Sequence, residues 1–133
     1  MSERVLRLGI THLELKFKSM GNSGSTIDMN SPEGQFITSE IQSNCVVIFS
    51  KTSCSYCRAT KNLCQKIGVN ARVIELDRRQ DGSDVQNLLG AITGASTVPR
   101  VFINGKCVGG NSEFQKLNKS GKLAELLAEC GNT

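Results

Sequence analysis

From Val46 to Phe49 the chain reads Val-Val-Ile-Phe with no polar interruption. An apolar run this short and without alternation predicts a strand, Cys45 to Ser50, covered on both faces and therefore central in a sheet flanked by helices. Ahead of it, Ser31-Pro32-Glu33 reads as an N-cap, a proline at the first helical position and an acid in the first turn. The helix this starts runs to about Ser43 and buries Phe36, Ile37 and Ile41. Behind it, Ala59, Thr60, Leu63, Cys64 and Ile67 recur at helical spacing, with Arg58, Lys61, Asn62, Gln65 and Lys66 on the watery side, and Gly68 stops the helix. Arg72 to Leu76 is the next strand. Strand, helix and strand within about 30 residues make a βαβ unit, so these two strands run parallel.

Asp77 to Gly82 is a polar loop. Ser83 to Ile92 then carries Val85, Leu88, Leu89 and Ile92 at i, i+3, i+4, i+7, with Ser83 and Gln86 spaced as a capping box and Gly94 at the end. Pro99 stands at the head of a strand, Val101 to Ile103, where no ladder donor is needed. Asn104-Gly105 is a hairpin turn and returns the chain antiparallel through Lys106 to Gly109. Gly109-Gly110 turns it into a short helix, Ser112 to Asn118, and a last helix from Gly121 to Cys130 lines up Leu123, Leu126, Leu127 and Cys130. The expected fold class is α/β, a four-stranded mixed sheet with helices on both faces.

Composition narrows the function classes. With 16 basic and 12 acidic residues the formal charge is +4, and one Tyr, five Phe and no Trp give no aromatic platform beside a basic stripe. Nucleic acid is therefore not an expected partner. No apolar run approaches the roughly 18–20 residues of a membrane span, so a membrane is not expected either. Met1 to Ser19 lacks the apolar stretch of a secretory signal. Arg4, Arg7, Lys16 and Lys18 resemble a mitochondrial presequence, whereas Glu3 and Glu14 do not fit one. Met20-Gly21-Asn22-Ser23-Gly24-Ser25 matches a myristoylation pattern only if translation starts at Met20, and otherwise reads as a Gly/Ser linker. Residues 1–30 are expected to be a disordered or targeting extension and 31–133 one folded domain. The expected location is cytoplasmic, with mitochondrial as the alternative.

The chemistry concentrates at Cys54-Ser55-Tyr56-Cys57. A strand ending in a turn puts Cys54 at the mouth of the next helix, where unpaired backbone N–H groups and the helix dipole favour the thiolate. Lys51 and Arg58 add positive charge. Such placement lowers a thiol pKa from about 8.5 into the range of roughly 3.5–7.5. Cys57, one turn on, can then attack a mixed disulfide formed at Cys54. A zinc site would need a second ligand pair, but His12 is the one histidine and Cys45, Cys64, Cys107 and Cys130 stand singly. Cys64 falls on a buried helical stripe and reads as a small core residue. Cys107 reads as a core or edge-strand residue.

The order of elements, with Cys-x-x-Cys after the first strand, Thr97-Val98-Pro99-Arg100 before the third and Gly109-Gly110 after the fourth, resembles the thioredoxin-like superfamily. In detail it resembles a dithiol glutaredoxin of the glutaredoxin 2 type, with Ser55 where most members have Pro. The resemblance spans about Glu40 to Cys130. It implies the thioredoxin-like fold and a glutathione-dependent thiol-disulfide oxidoreductase acting on glutathionylated proteins, with Cys54 as nucleophile and Cys57 as resolving thiol. It implies that glutathione is held by Lys51, Tyr56, Gln86, the backbone of Val98 beside a cis Pro99, and Ser112 and Glu113 at a helix N-terminus. A solvated strand-end side chain is the weaker alternative for Lys51, which stands three residues from Cys54, and helix capping is the lesser alternative for Gln86. Glu113 stands where the family usually has Asp, and Arg100 adds either positive potential or only surface. The resemblance further implies an alternative state, a [2Fe–2S] homodimer ligated by Cys54 of each protomer and two glutathiones, with a monomer otherwise. Cys45 and Cys130 are open between buried small residues and a structural disulfide, which the resemblance favours.

Overall fold

The computed structural model describes residues 27–130, so the expectations for the extension and the Gly/Ser segment up to residue 26 lie outside the described residues. Ten elements follow: α1 (Pro32–Ser43), β1 (Val46–Ser50), α2 (Ser55–Ile67), β2 (Arg72–Glu75), a 3-10 turn (Leu76–Arg78), α3 (Gly82–Thr93), β3 (Arg100–Ile103), β4 (Lys106–Gly109), α4 (Asn111–Ser120) and α5 (Lys122–Cys130). The sheet order is β2-β1-β3-β4. β1 pairs parallel with β2, and antiparallel with β3, which pairs antiparallel with β4. The mixed four-stranded sheet is thus the expected one. At the hairpin Asn104 has φ 53° and Gly105 φ 83°, the two positive values that a tight turn of this kind requires.

Side chains alternate across β1, and each face gathers its own core. Val47 and Phe49 point to one face with Ile37 and Ile41 of α1, Val85, Leu89 and Ile92 of α3, and Phe102. Phe49 and Phe102 meet edge to face at 5.7 Å. Val46 and Ile48 point to the other face with Cys64 of α2, Phe114 of α4 and Leu123 of α5. All five residues of β1 are buried, so this strand is a rigid floor and whatever follows Ser50 is held at a fixed height above the sheet. Burying two apolar faces at roughly 25 cal/mol per Å² is what fixes that floor.

The helix ends follow local rules. Ser31 caps α1 by accepting the Gly34 N–H at 3.1 Å. Gly68 ends α2 in the left-handed conformation at φ 79°. Ile27 and Met29 already pack on the first core, ahead of the expected start at residue 31. Three details differ from expectation. α3 begins at Gly82 with Asp81 as N-cap, so Ser83 and Gln86 form no capping box. Phe36 is only partly buried, packed at the edge of the first core with the Arg79 guanidinium 3.8 Å over its ring. Ile67, the last residue of α2, is 38 % exposed.

Cys45 and Cys130 are disulfide-bonded, with Cα atoms 5.8 Å apart, within the range a disulfide spans without moving the backbone. The bond ties the residue before β1 to the last residue of α5. Cys64 is buried, and burial pushes its pKa up to about 11, which suits a core residue and not a reactive one. Cys107 is exposed on the edge strand β4, so the core option for it does not hold.

Candidate active site

Beyond Ser50 the chain leaves the sheet in a turn closed by the Cys54 N–H donating to the Lys51 carbonyl at 3.1 Å. Cys54 is the N-cap of α2: its backbone is extended and its sulfur accepts the Cys57 N–H at 3.3 Å. A thiolate here satisfies an orphan donor of the first helical turn, the position a Ser or Asp cap would ordinarily take. The Cys54 Sγ also lies 3.7 Å from the Val98 carbonyl. Val98 precedes Pro99 through a cis bond. Cys54 therefore sits between a helix N-terminus and an irregular loop that offers main-chain groups.

Two opposed effects act on Cys54. Partial burial pushes its pKa up, but hydrogen bonds from the Cys57 thiol, the Cys57 N–H and the Tyr56 N–H, together with the Lys61 charge, outweigh it and bring the pKa below the usual thiol value. Lys61 was expected to face water. It is instead half-buried and paired with Glu75 at 2.7 Å. Cys57 goes the other way. It is fully buried, and burial together with its hydrogen bond to Cys54 raises its pKa. The pair is thus a half-buried Cys54 whose ionisation is favoured beside a covered Cys57 whose ionisation is disfavoured, an asymmetry suited to disulfide exchange. Tyr56, between them, is 66 % exposed.

The remaining expected residues surround this pair in different ways. Lys51 is half-buried at the start of the turn. Pro99 is buried and Val98 partly so. Gln86 uses its side-chain amide to donate to the Ser96 carbonyl at 2.7 Å, so it steadies the loop that leads to Val98 and is not a helix cap. Ser112 and Glu113 are exposed in the first turn of α4, which begins one residue earlier than expected, at Asn111. Glu113 folds back, its Oε1 accepting the Gly110 N–H at 2.8 Å. That bond lowers its pKa, with Arg100 contributing. The longer Glu thus reaches its own helix start, as the acid of a capping box does.

Two contributors had no signal in the sequence. Asp77 accepts the Thr52 N–H on both oxygens at 3.1 Å and the Thr52 hydroxyl at 2.5 Å, which pins the turn before Cys54. Thr60, buried in α2, contacts Asn111 Oδ1 at 2.9 Å and joins the helix of the two cysteines to the start of α4. Neither partner could be paired from spacing, because 25 and 51 residues separate them. Among the described residues no group of three or more His, Cys, Asp or Glu could hold a metal ion.

Known proteins share this arrangement. Residues 46–108 match the family model Glutaredoxin. The chain is 48 % identical over 114 residues to Glutaredoxin-2, mitochondrial, of Bos taurus, covering 84 % of this chain and 72 % of that one. It is 43 % identical over 116 residues to Glutaredoxin-C4 of Arabidopsis thaliana, covering 87 % and 83 %. A solved buckwheat glutaredoxin–glutathione complex superposes with a TM-score of 0.75 at 39 % identity, over 80 % of this chain and 97 % of that one. A half-buried Cys54 at a helix N-terminus, a buried Cys57 one turn on and these likenesses in sequence and fold lead to one conclusion: the chain belongs to the glutaredoxin family, thiol-disulfide oxidoreductases of thioredoxin-like fold.

Proposed function

We propose that this chain reduces glutathione mixed disulfides on proteins, with Cys54 as nucleophile and Cys57 as resolving thiol. The observation that carries this reading is the opposed ionisation of the two thiols, one lowered and accessible, the other raised and buried. The Cys54 thiolate attacks the glutathione sulfur of the mixed disulfide. That S–S bond breaks, and the protein thiolate leaves and takes a proton from water. A second glutathione, as thiolate, attacks the Cys54–glutathione disulfide, forming oxidised glutathione and restoring the Cys54 thiolate. Alternatively Cys57 loses its proton and attacks Cys54, releasing glutathione and closing an internal disulfide, the route for protein disulfides. Glutathione is anionic at both ends. In this reading Lys51 faces its glycine carboxylate, with Gln86 and Tyr56 beside it. The Val98 main chain at Pro99 pairs with its cysteine, and Ser112 with the N–H groups opening α4 takes its γ-glutamyl carboxylate. Glu113 then acts through the helix start it caps. The superposed buckwheat complex, which contains glutathione, supports the substrate class.

Cys54→Ser is expected to abolish reduction of a glutathionylated peptide, while Cys57→Ser retains it. A Cys54→Ser protein with wild-type turnover would overturn the assignment.

A second reading, the [2Fe–2S] state, is favoured by the accessibility of a single active-site thiol. One protomer offers Cys54 alone, with Cys57 covered, so a cluster with four thiolate ligands needs Cys54 from two protomers and two glutathiones. When bound, the cluster would occupy Cys54 and silence exchange. Anaerobic purification with glutathione should yield a coloured dimer, and a colourless monomer after reconstitution would remove this reading. The named mitochondrial relatives favour the mitochondrial alternative over the cytoplasmic location expected above. Imaging fusions with and without residues 1–19 distinguishes the two.

A further inference from the structure

Arg100 is a charged side chain buried in the sheet end, only 9 % exposed, and among the described residues it forms no ion pair. Burying an unpaired guanidinium is costly unless its donors are used. They are used on one neighbour: Nε donates to the Thr97 carbonyl at 3.1 Å, and a second guanidinium nitrogen lies 3.5 Å from the Thr97 hydroxyl. The same nitrogen abuts Gly110, where a Cβ would stand 3.1 Å from it and 3.2 Å from the Pro99 carbonyl. Its charge also reaches the Glu113 carboxylate, which holds the Gly110 N–H. One planar, forked cation thus bonds to Thr97 of the Thr97–Pro99 loop and borders the start of α4 at Gly110.

We propose that Arg100 is a positioning residue that sets the distance between the Val98 main chain and the N–H groups opening α4, the two backbone segments that take the middle and the γ-glutamyl end of glutathione. The inference rests on the reading of the function given above. Gly110 completes the device, because any side chain there would push the guanidinium or the Pro99 carbonyl away. The fork suits the task because it fixes direction as well as charge, which a lysine cannot do. Arg100 does not touch Cys54, so it governs how well the glutathione moiety is held and not how reactive the thiolate is. Misplacing one binding segment by about 1 Å can cost up to 100-fold, so a tenfold effect is a moderate expectation.

The test is steady-state kinetics on a glutathionylated peptide, with the Cys54 pKa read from the pH dependence of alkylation. Arg100→Gln should raise KM for the peptide roughly tenfold, with kcat within about twofold and the Cys54 midpoint unmoved. Arg100→Lys should fall between the two. Gly110→Ala keeps the guanidinium but presses on the same spacing, and should raise KM in the same way, which covers the case of a poorly folded Arg100→Gln. Changes in kcat without KM, a shifted Cys54 midpoint, or an unchanged KM in both variants overturn the proposal. A wild-type protein inactive on the glutathionylated peptide would instead remove the functional reading itself.

Discussion

The bond between Cys45 and Cys130 closes a loop spanning 85 residues and anchors the last helix to the head of the central strand. In the chain-entropy picture, a crosslink over about 85 residues removes roughly 15 cal/mol/K from the unfolded chain, or about 4.5 kcal/mol at 25 °C. Residues 27–130 make up the described body. With an unfolding entropy of about 2.1 cal/mol/K per residue, roughly 100 residues give about 0.2 kcal/mol/K, so losing the full amount lowers Tm by about 20 °C. Strain and residual unfolded-state structure reduce such figures in practice, and a fall of 8 °C or more is the working expectation. The assay is thermal unfolding followed by circular dichroism, in a Cys54→Ser/Cys57→Ser background so that only one pair of sulfurs can respond to reductant. Adding dithiothreitol should reproduce the fall given by Cys45→Ala/Cys130→Ala.

The pattern among the variants decides the cause. Either single replacement breaks the bond, so each single should cost nearly as much as the double, a strongly non-additive result. Packing alone predicts two smaller, unequal losses that dithiothreitol would not reproduce, because Cys45 stands just before β1 and Cys130 ends α5. Cys130 does rest against the second core, so its own replacement carries a small additional loss. Additive singles, or a fall below about 3 °C with reductant, would refute the crosslink as a source of stability.

Two further predictions concern the ends of the active-site turn. Because the folded protein lowers the Cys54 pKa, its thiolate persists below the pH of about 8.5 at which a free cysteine titrates and is lost only as pH falls through the lowered value. Iodoacetamide should therefore modify Cys54 rapidly at pH 7 and spare buried Cys57 and Cys64, as peptide mapping would show, and a rate rising only above pH 8 would contradict the site. Asp77 is held below the usual carboxylate range by hydrogen bonds from the Thr52 hydroxyl and N–H. A depressed folded pKa contributes stability in full above the unfolded value of about 3.9 and loses it as pH falls through the folded one. The Tm difference between wild type and Asp77→Ala should accordingly be present at pH 7 and shrink as the pH falls below about 4 through the lowered folded pKa, and a difference that grows on acidification would rule the contact out.

How much of this was legible in the sequence depends on the reach of each signal. β1 could be read because a strand buried on both faces leaves an unbroken apolar run, and α2 because Gly68 ends a strict helical stripe. Cys54 could be read because its reactivity comes from elements adjacent in sequence, a strand end and a helix start. The failures share a cause. Ser83 and Gln86 have the spacing of a capping box, yet α3 starts at Gly82, whose Cα packs so closely on the Leu76 carbonyl that a Cβ would stand 1.8 Å from its oxygen. That tertiary contact places the helix start, and Gln86 is left to reach across ten residues to Ser96. Lys61 has the spacing of a solvated position, but β2 brings Glu75 beneath it.

The same division explains where the site keeps its precision. The chemistry, a sulfur at a helix mouth whose pKa is lowered by the first helical turn, is local and survives most changes elsewhere. The geometry that would receive a tripeptide in the proposed reading is held by contacts mostly between segments apart in the chain, Asp77 on Thr52, Gln86 on Ser96 and Thr60 on Asn111, with Glu113 on Gly110 as a local one. Each joins a polar side chain to a turn or helix end whose main chain would otherwise be free to shift. Reactivity and recognition are therefore separable in this fold. Substitutions in these struts should change how tightly a glutathione moiety is held while leaving the alkylation profile of Cys54 in place, whereas substitutions within the first turn of α2 should move both together.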